Sequence, residues 1–101
     1  MAFIVHISEE DRQYIGQGLG LSPDGQRKVW EFLEYAVADM REEARLSPEN
    51  RVAGDPSLLR LRFVLRDDAG DGRIRVLDFY IDDAGAAAGV LLLTFINPNP
   101  K

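Results

Sequence analysis

The sequence predicts an α+β domain in the order β-α-α-β-β-β, with two helices packed on a small, mainly antiparallel sheet. Three observations predict it. A short alternating run at the start precedes two helix-start signals, the second of which opens a long amphipathic stretch. Three strand-like segments then follow, with turn residues between them. The length of 101 residues and a hydrophobic content of 46% suit a single core, so residues 1–101 are read as one domain.

Phe3, Val5 and Ile7 alternate with Ile4 and His6, which predicts a strand over residues 3–7. Ser8 offers an N-cap, and Asp11 stands three positions on, an approximate capping box. The first helix is expected from Glu9 to about Gln17, with Tyr14 and Ile15 as its apolar contacts. Gly16, Gly18 and Gly20 end it in a bend. Ser22-Pro23 restarts the helix, an N-cap followed by proline at the first helical position. Val29, Leu33, Ala36, Val37, Met40 and Ala44 then keep the 3.6 period, so the second helix is expected from Pro23 to about Leu46.

In the second half, Leu59, Leu61, Phe63 and Leu65 alternate with Arg60, Arg62, Val64 and Arg66, a strand with one arginine-lined face. Asp67 to Gly72 is a turn. Arg73 to Asp82 is the next strand, and its apolar phase changes from Ile74 and Val76 to Leu77, Phe79 and Ile81, which predicts a bulge. After a small-residue loop, Val90 to Ile96 is apolar at nearly every position, as in a central strand covered on both faces.

Composition excludes several function classes. The absence of cysteine removes disulfides, thiolate metal sites and a cysteine nucleophile, and it favours a cytoplasmic location. No apolar run reaches the ~20 residues of a membrane span, and no signal peptide is recognisable. A net charge of −5 argues against general nucleic-acid binding. The charge is unevenly distributed. Residues 1–50 hold 5 Lys/Arg against 10 Asp/Glu, whereas residues 51–101 hold 7 of each.

Several local patterns have plain structural readings. Gly16-Gln17-Gly18-Leu19-Gly20 lacks the third glycine of a dinucleotide loop and ends a helix instead of opening one. Asp67 to Asp78 resembles a calcium loop superficially, but Ala69 stands at a ligand position and strands flank it, so a hairpin turn is expected. His6 is the only histidine, too few for a histidine metal site, and no neighbour in the sequence marks it as a base. Trp30, Phe32 and Tyr35 suit core packing or partner burial. No cofactor or metal is expected.

The arginines are the distinctive feature. Arg60, Arg62 and Arg66 share a strand face, and Arg73 and Arg75 open the next strand, so several guanidiniums could converge on phosphate or carboxylate. The competing reading pairs them with Asp67, Asp78 or Asp82, or with helix glutamates, as a solvated sheet face.

The segments Leu58-Leu59-Arg60-Leu61-Arg62-Phe63, Arg75-Val76-Leu77-Asp78-Phe79-Tyr80 and Val90-Leu91-Leu92-Leu93-Thr94-Phe95 resemble the phage-derived HigB-like branch of the RelE/ParE toxin superfamily. The order of strand, two helices and antiparallel meander resembles it too. The resemblance implies a ribosome-dependent mRNA endoribonuclease held by an antitoxin protein, with the RNA 2′-hydroxyl attacking the adjacent phosphate. It implies Arg62 and Arg75 as phosphate contacts, and these are the catalytic candidates; Tyr80 is read as a third, and Arg60, Arg66 and Arg73, from the arginine-bearing strands, as substrate-binding cations. The chain departs from the family pattern at Leu93-Thr94, where a histidine is expected, and at Asn97-Pro98-Asn99-Pro100, where lysines are expected. A second reading stays open: a non-enzymatic homodimeric interaction module, or a small-anion-binding module, on the same fold. The stripe of the second helix and the two apolar faces of Val90–Ile96 exceed what one thin layer buries.

Overall fold

In the computed structural model, which describes residues 2–98, the chain is α+β, with three helices packed on a five-stranded mixed sheet. The elements are β1 (Ile4–His6), α1 (Glu9–Gln13), α2 (Pro23–Glu31), α3 (Glu42–Leu46), β2 (Arg51–Val52), β3 (Asp55–Arg66), β4 (Ile74–Asp82) and β5 (Val90–Asn97). Across the sheet they lie in the order β1-β5-β4-β3-β2. The β2–β3, β3–β4 and β4–β5 pairs are antiparallel, while β1 runs parallel to β5. Among the described residues, no helix is long and apolar enough to cross a membrane.

Both expected N-caps form. The Ser8 hydroxyl accepts from the Asp11 N–H at 3.1 Å, and the Ser22 hydroxyl accepts from the Gly25 N–H at 3.1 Å. α1 widens into a π-helical turn over Tyr14–Gly18, and Gly20 turns the chain with φ 68°. α2 likewise continues as a π-helical segment over Phe32–Val37.

The second helix is shorter than its periodicity suggests. It ends near Ala38, and the chain is extended at Arg41 before α3 starts a separate helix. The cause is long-range: the Ala38 carbonyl accepts the Phe3 N–H at 2.7 Å, so the chain beside β1 captures the helix end.

The core lies between the helices and one sheet face. Ile15, Val29, Leu33 and Val37 meet Leu59, Leu65, Leu77, Phe79, Ile81, Leu91 and Leu93, all nearly or fully buried. Phe32 stacks on Phe63 at 4.5 Å and lies 5.4 Å from Phe79.

One buried carboxylate pins the helix layer to the hairpin. Asp67 accepts the Ser22 N–H at 2.7 Å and also the Ser22 hydroxyl. A Cβ at Gly25 or Gly70 would come within 2.9 Å or 2.4 Å of the Asp67 carboxylate, so glycine is needed at both. Ser22 therefore caps α2 and ties it to the β3–β4 turn in one arrangement.

Two strand expectations change. β3 and β4 pair without interruption from Leu58↔Asp82 to Arg66↔Ile74, so β4 has no bulge. Ile74 and Val76 stay in phase with Asp78, Tyr80 and Asp82; the apolar phase changes because both faces are apolar near the hairpin. The irregularity lies in β5, where Thr94 is the extra residue between Leu93↔Ile81 and Phe95↔Tyr80. β5 is interior in the sheet but covered on one face only. Leu91, Leu93 and Ile96 are buried, whereas Leu92 and Phe95 are 40% and 56% exposed.

Candidate functional site

Among the described residues no helix covers the face of the sheet opposite the core. Strand register arranges it in rows. Ile4 and Val90 form the first, and His6, Leu92, Asp82 and Leu58 the second. Phe95, Tyr80 and Arg60 follow, then Asn97, Asp78 and Arg62, then Val76 and Val64, and last Ile74 and Arg66. Two apolar areas thus flank a polar middle. Ile4, Val90, Leu92 and Phe95 form one, and Val64, Val76 and Ile74 the other. Ile4, Val64 and Ile74 are 72%, 56% and 67% exposed. Such residues on a monomer surface mark an interaction site when they form a contiguous patch.

The arginines do not converge. Arg62 lies on the open face but reaches Asp78, its Nε at 2.8 Å and its Nη2 at 3.1 Å from the two carboxylate oxygens. This fork leaves Arg62 half exposed and covers Asp78 almost completely, to 1%. The Asp78 hydrogen bonds hold the Arg62 guanidinium more firmly charged than usual. Arg66 pairs with Asp68 at 3.1 Å and donates to the Gly72 carbonyl.

Arg75 is opposite Leu65, on the helix side of the sheet. Its Nη2 donates to the Leu19 carbonyl at 2.9 Å and lies 3.7 Å from Asp71, so it ties the glycine-rich bend to β4. Arg62 and Arg75 are therefore on opposite faces and cannot grip one phosphate. Arg73 lies outside the strands, in the exposed β3–β4 connection. Of the proposed residues, only Arg60, Arg62, Arg66 and Tyr80 share a face. Arg60 is exposed, makes no ion pair with a described residue, and pairs directly with Tyr80, whose ring lies 5.7 Å from that of Phe95.

The expectation that aspartates neutralise the arginines thus holds for Arg62 at Asp78. The calcium reading of the hairpin fails, because Asp67 is turned inward to Ser22; among the described residues no group of three potential ligands could hold a metal. His6 stands on the open face beside Leu92.

A second concave region lies where α3 meets the β4–β5 loop. This cleft of about 1030 Å³ is bordered by Phe3, Met40, Arg41, Arg45, Asp83 and Ala87. Its inner wall is a charged knot that nothing in the sequence order announces. Arg51 clamps Asp83 at 2.7 and 3.0 Å, and Arg45 joins at 2.9 Å. Arg51, and then Arg45, hold the Asp83 carboxyl below the usual carboxylate range against the opposing effect of burial. The knot fastens α3 and β2 to the end of β4, so these guanidiniums are occupied internally.

No family model matches the chain, and no curated protein or solved structure does either.

Proposed function

We propose that the chain is a non-enzymatic interaction module that forms a homodimer through its open sheet face. The observation that carries this reading is the array of exposed aliphatic and aromatic side chains on that face, from Ile4, Leu92 and Phe95 to Val64 and Ile74. The five strands hold 3, 2, 12, 9 and 8 residues, which at ~3.3 Å rise and ~4.8 Å spacing give a face of roughly 540 Å². Two such faces bury about 1,100 Å² together, above the ~1,000 Å² that marks a biological interface and below the ~1,600 Å² of a standard one.

The layout also suits a second copy. With a two-fold axis in the interface plane between the two apolar areas, the Leu92–Phe95 area of one protomer lies over the Val64–Ile74 area of the other. Each contact is then made twice, as an isologous interface requires. Arg60 stands near the middle of the face without an ion pair to a described residue, which leaves it available to a group of the second copy.

The test is the mass in solution of the wild type and of Leu92→Glu. The wild type is expected at twice the chain mass, and the variant at the chain mass with an unchanged circular dichroism spectrum. A wild type that stays at the chain mass at millimolar concentration overturns the reading.

A ribonuclease of the toxin type is the second reading. Arg60 beside Tyr80 on an exposed face supports it, because a cation and a phenol in adjacent positions suit a phosphate backbone. Induced expression of the wild type against Arg60→Ala/Tyr80→Phe tests it. Growth arrest with mRNA loss in the wild type alone is expected on this reading, and undisturbed growth with intact mRNA removes it.

A further inference from the structure

The sheet also has an edge separate from the open face, whose use does not depend on the homodimer. β1 is three residues long and pairs only with Val90, Leu91 and Leu92. β5 runs on to Asn97, so its β1-side edge from Leu93 to Ile96 lies beside no strand among the described residues. Along its other edge Leu93, Phe95 and Ile96 pair with β4. Backbone groups along an unpaired edge form a template for another extended chain.

α1 and its π-helical turn run alongside this edge without closing on it. Between them lies a groove of about 710 Å³, bordered by Glu10, Asp11, Tyr14, Phe95, Ile96 and Pro98. That volume lies within the ~300–1,000 Å³ of ligand-binding clefts. Tyr14, Phe95, Ile96 and Pro98 supply apolar walls. Glu10 and Asp11 supply negative charge, and among the described residues no basic one lines the groove. Arg12, next to Asp11 in the sequence, places its Nε on the Ile7 carbonyl and its guanidinium 5.5 Å from the Trp30 ring. Pro98 and the end of the β1 pairing at Leu92 bound the segment, so an added strand of about four residues fits.

We propose that this groove binds an extended peptide segment of alternating apolar and basic residues from a partner protein, which adds a strand to β5 in line with β1. The open edge selects extended backbone, the apolar walls take one set of side chains, and Glu10 and Asp11 attract lysine or arginine on the other set. Phe95 also borders the open face, so the two surfaces adjoin without coinciding.

The probe is the capped hexapeptide Lys-Val-Thr-Val-Lys-Val, titrated into ¹⁵N-labelled full-length protein, with its N-methylated form as control. Saturable shifts are expected in the amides of Thr94, Phe95 and Ile96 and in the Tyr14–Gly18 turn. Methylating alternate peptide nitrogens blocks strand pairing and should weaken binding at least about tenfold. Glu10→Lys/Asp11→Lys should do the same while leaving the mass of the protein in solution unchanged. No saturable shift at millimolar peptide overturns the proposal, as does binding insensitive to N-methylation or shifts confined to the Ile4 and Leu92 face. The homodimer is read separately, from mass, so either proposal can fail while the other stands.

Discussion

The two faces of the sheet are made by the same strands, alternating residue by residue, yet they differ in what they require. On the helix side every large residue of β4 except Arg75 is buried, and Arg75 is tied to the Leu19 carbonyl. On the open side Asp78 is covered by Arg62, while Leu92, Phe95, Val64 and Ile74 face solvent. The helix face must be apolar for the chain to fold. The open face is apolar beyond that need, and this excess is the argument for a partner.

Substitution should separate the two faces. The largest effect is expected from Phe79→Ala on the helix side, about 3–5 kcal/mol by chemical denaturation, a large part of a small domain's stability. Next comes Asp83→Asn, which weakens the fastening of α3 and β2. About 2 kcal/mol is expected, below the roughly 3–5 kcal/mol of a fully buried pair because the cleft admits water. Arg62→Ala, read by thermal unfolding, should lower stability more than Arg66→Ala does. It strips the covered Asp78 of its fork, whereas Arg66 pairs with the exposed Asp68. Phe95→Ser should be the mildest for the monomer, within about 0.5 kcal/mol, yet it should weaken self-association. If Phe95→Ser and Phe79→Ala destabilise equally, the distinction between the faces is lost.

Acid sharpens the comparison in another way. Asp67 is held low by the Ser22 hydroxyl and then the Ser22 N–H, and Asp83 by Arg51 and then Arg45. A carboxylate depressed in the folded state stabilises above its unfolded value of about 4, and that contribution is lost as pH falls through the folded value. The melting temperature should therefore hold above about pH 4 and fall below it, and Asp83→Asn should flatten that fall. Both carboxylates fasten the helix layer or the sheet ends, so acid loosens the covered side first.

The elements that depend on local pattern were legible in the sequence. Ser22-Pro23 and the α2 stripe, and the β3 alternation with its arginine face, stand where the periodicity puts them. What depends on contacts distant in sequence was not legible. The capture of the Ala38 carbonyl by Phe3 ends α2 early, and the parallel pairing of β1 with β5 leaves no local trace. The orientation of Arg75 follows from the length of the Asp67–Arg73 turn, because one residue more or less exchanges the faces of β4. An apolar run such as Val90–Ile96 shows that both faces can be buried, not that both are. Arg45, Arg51 and Asp83 are similarly scattered until the fold gathers them. The nearest sequence signal for the Arg62 pair was the Asp at position 78, one of three aspartates that could have served.

The most direct measurement is an isotope-filtered NOE experiment on a mixture of ¹³C-labelled and unlabelled protein, which records only contacts between copies. Cross-peaks between the Leu92 or Ile4 methyls and those of Val64 or Ile74 are expected. Their absence at millimolar concentration, or intermolecular contacts confined to the helix layer around Tyr35, would contradict an interface on the open face.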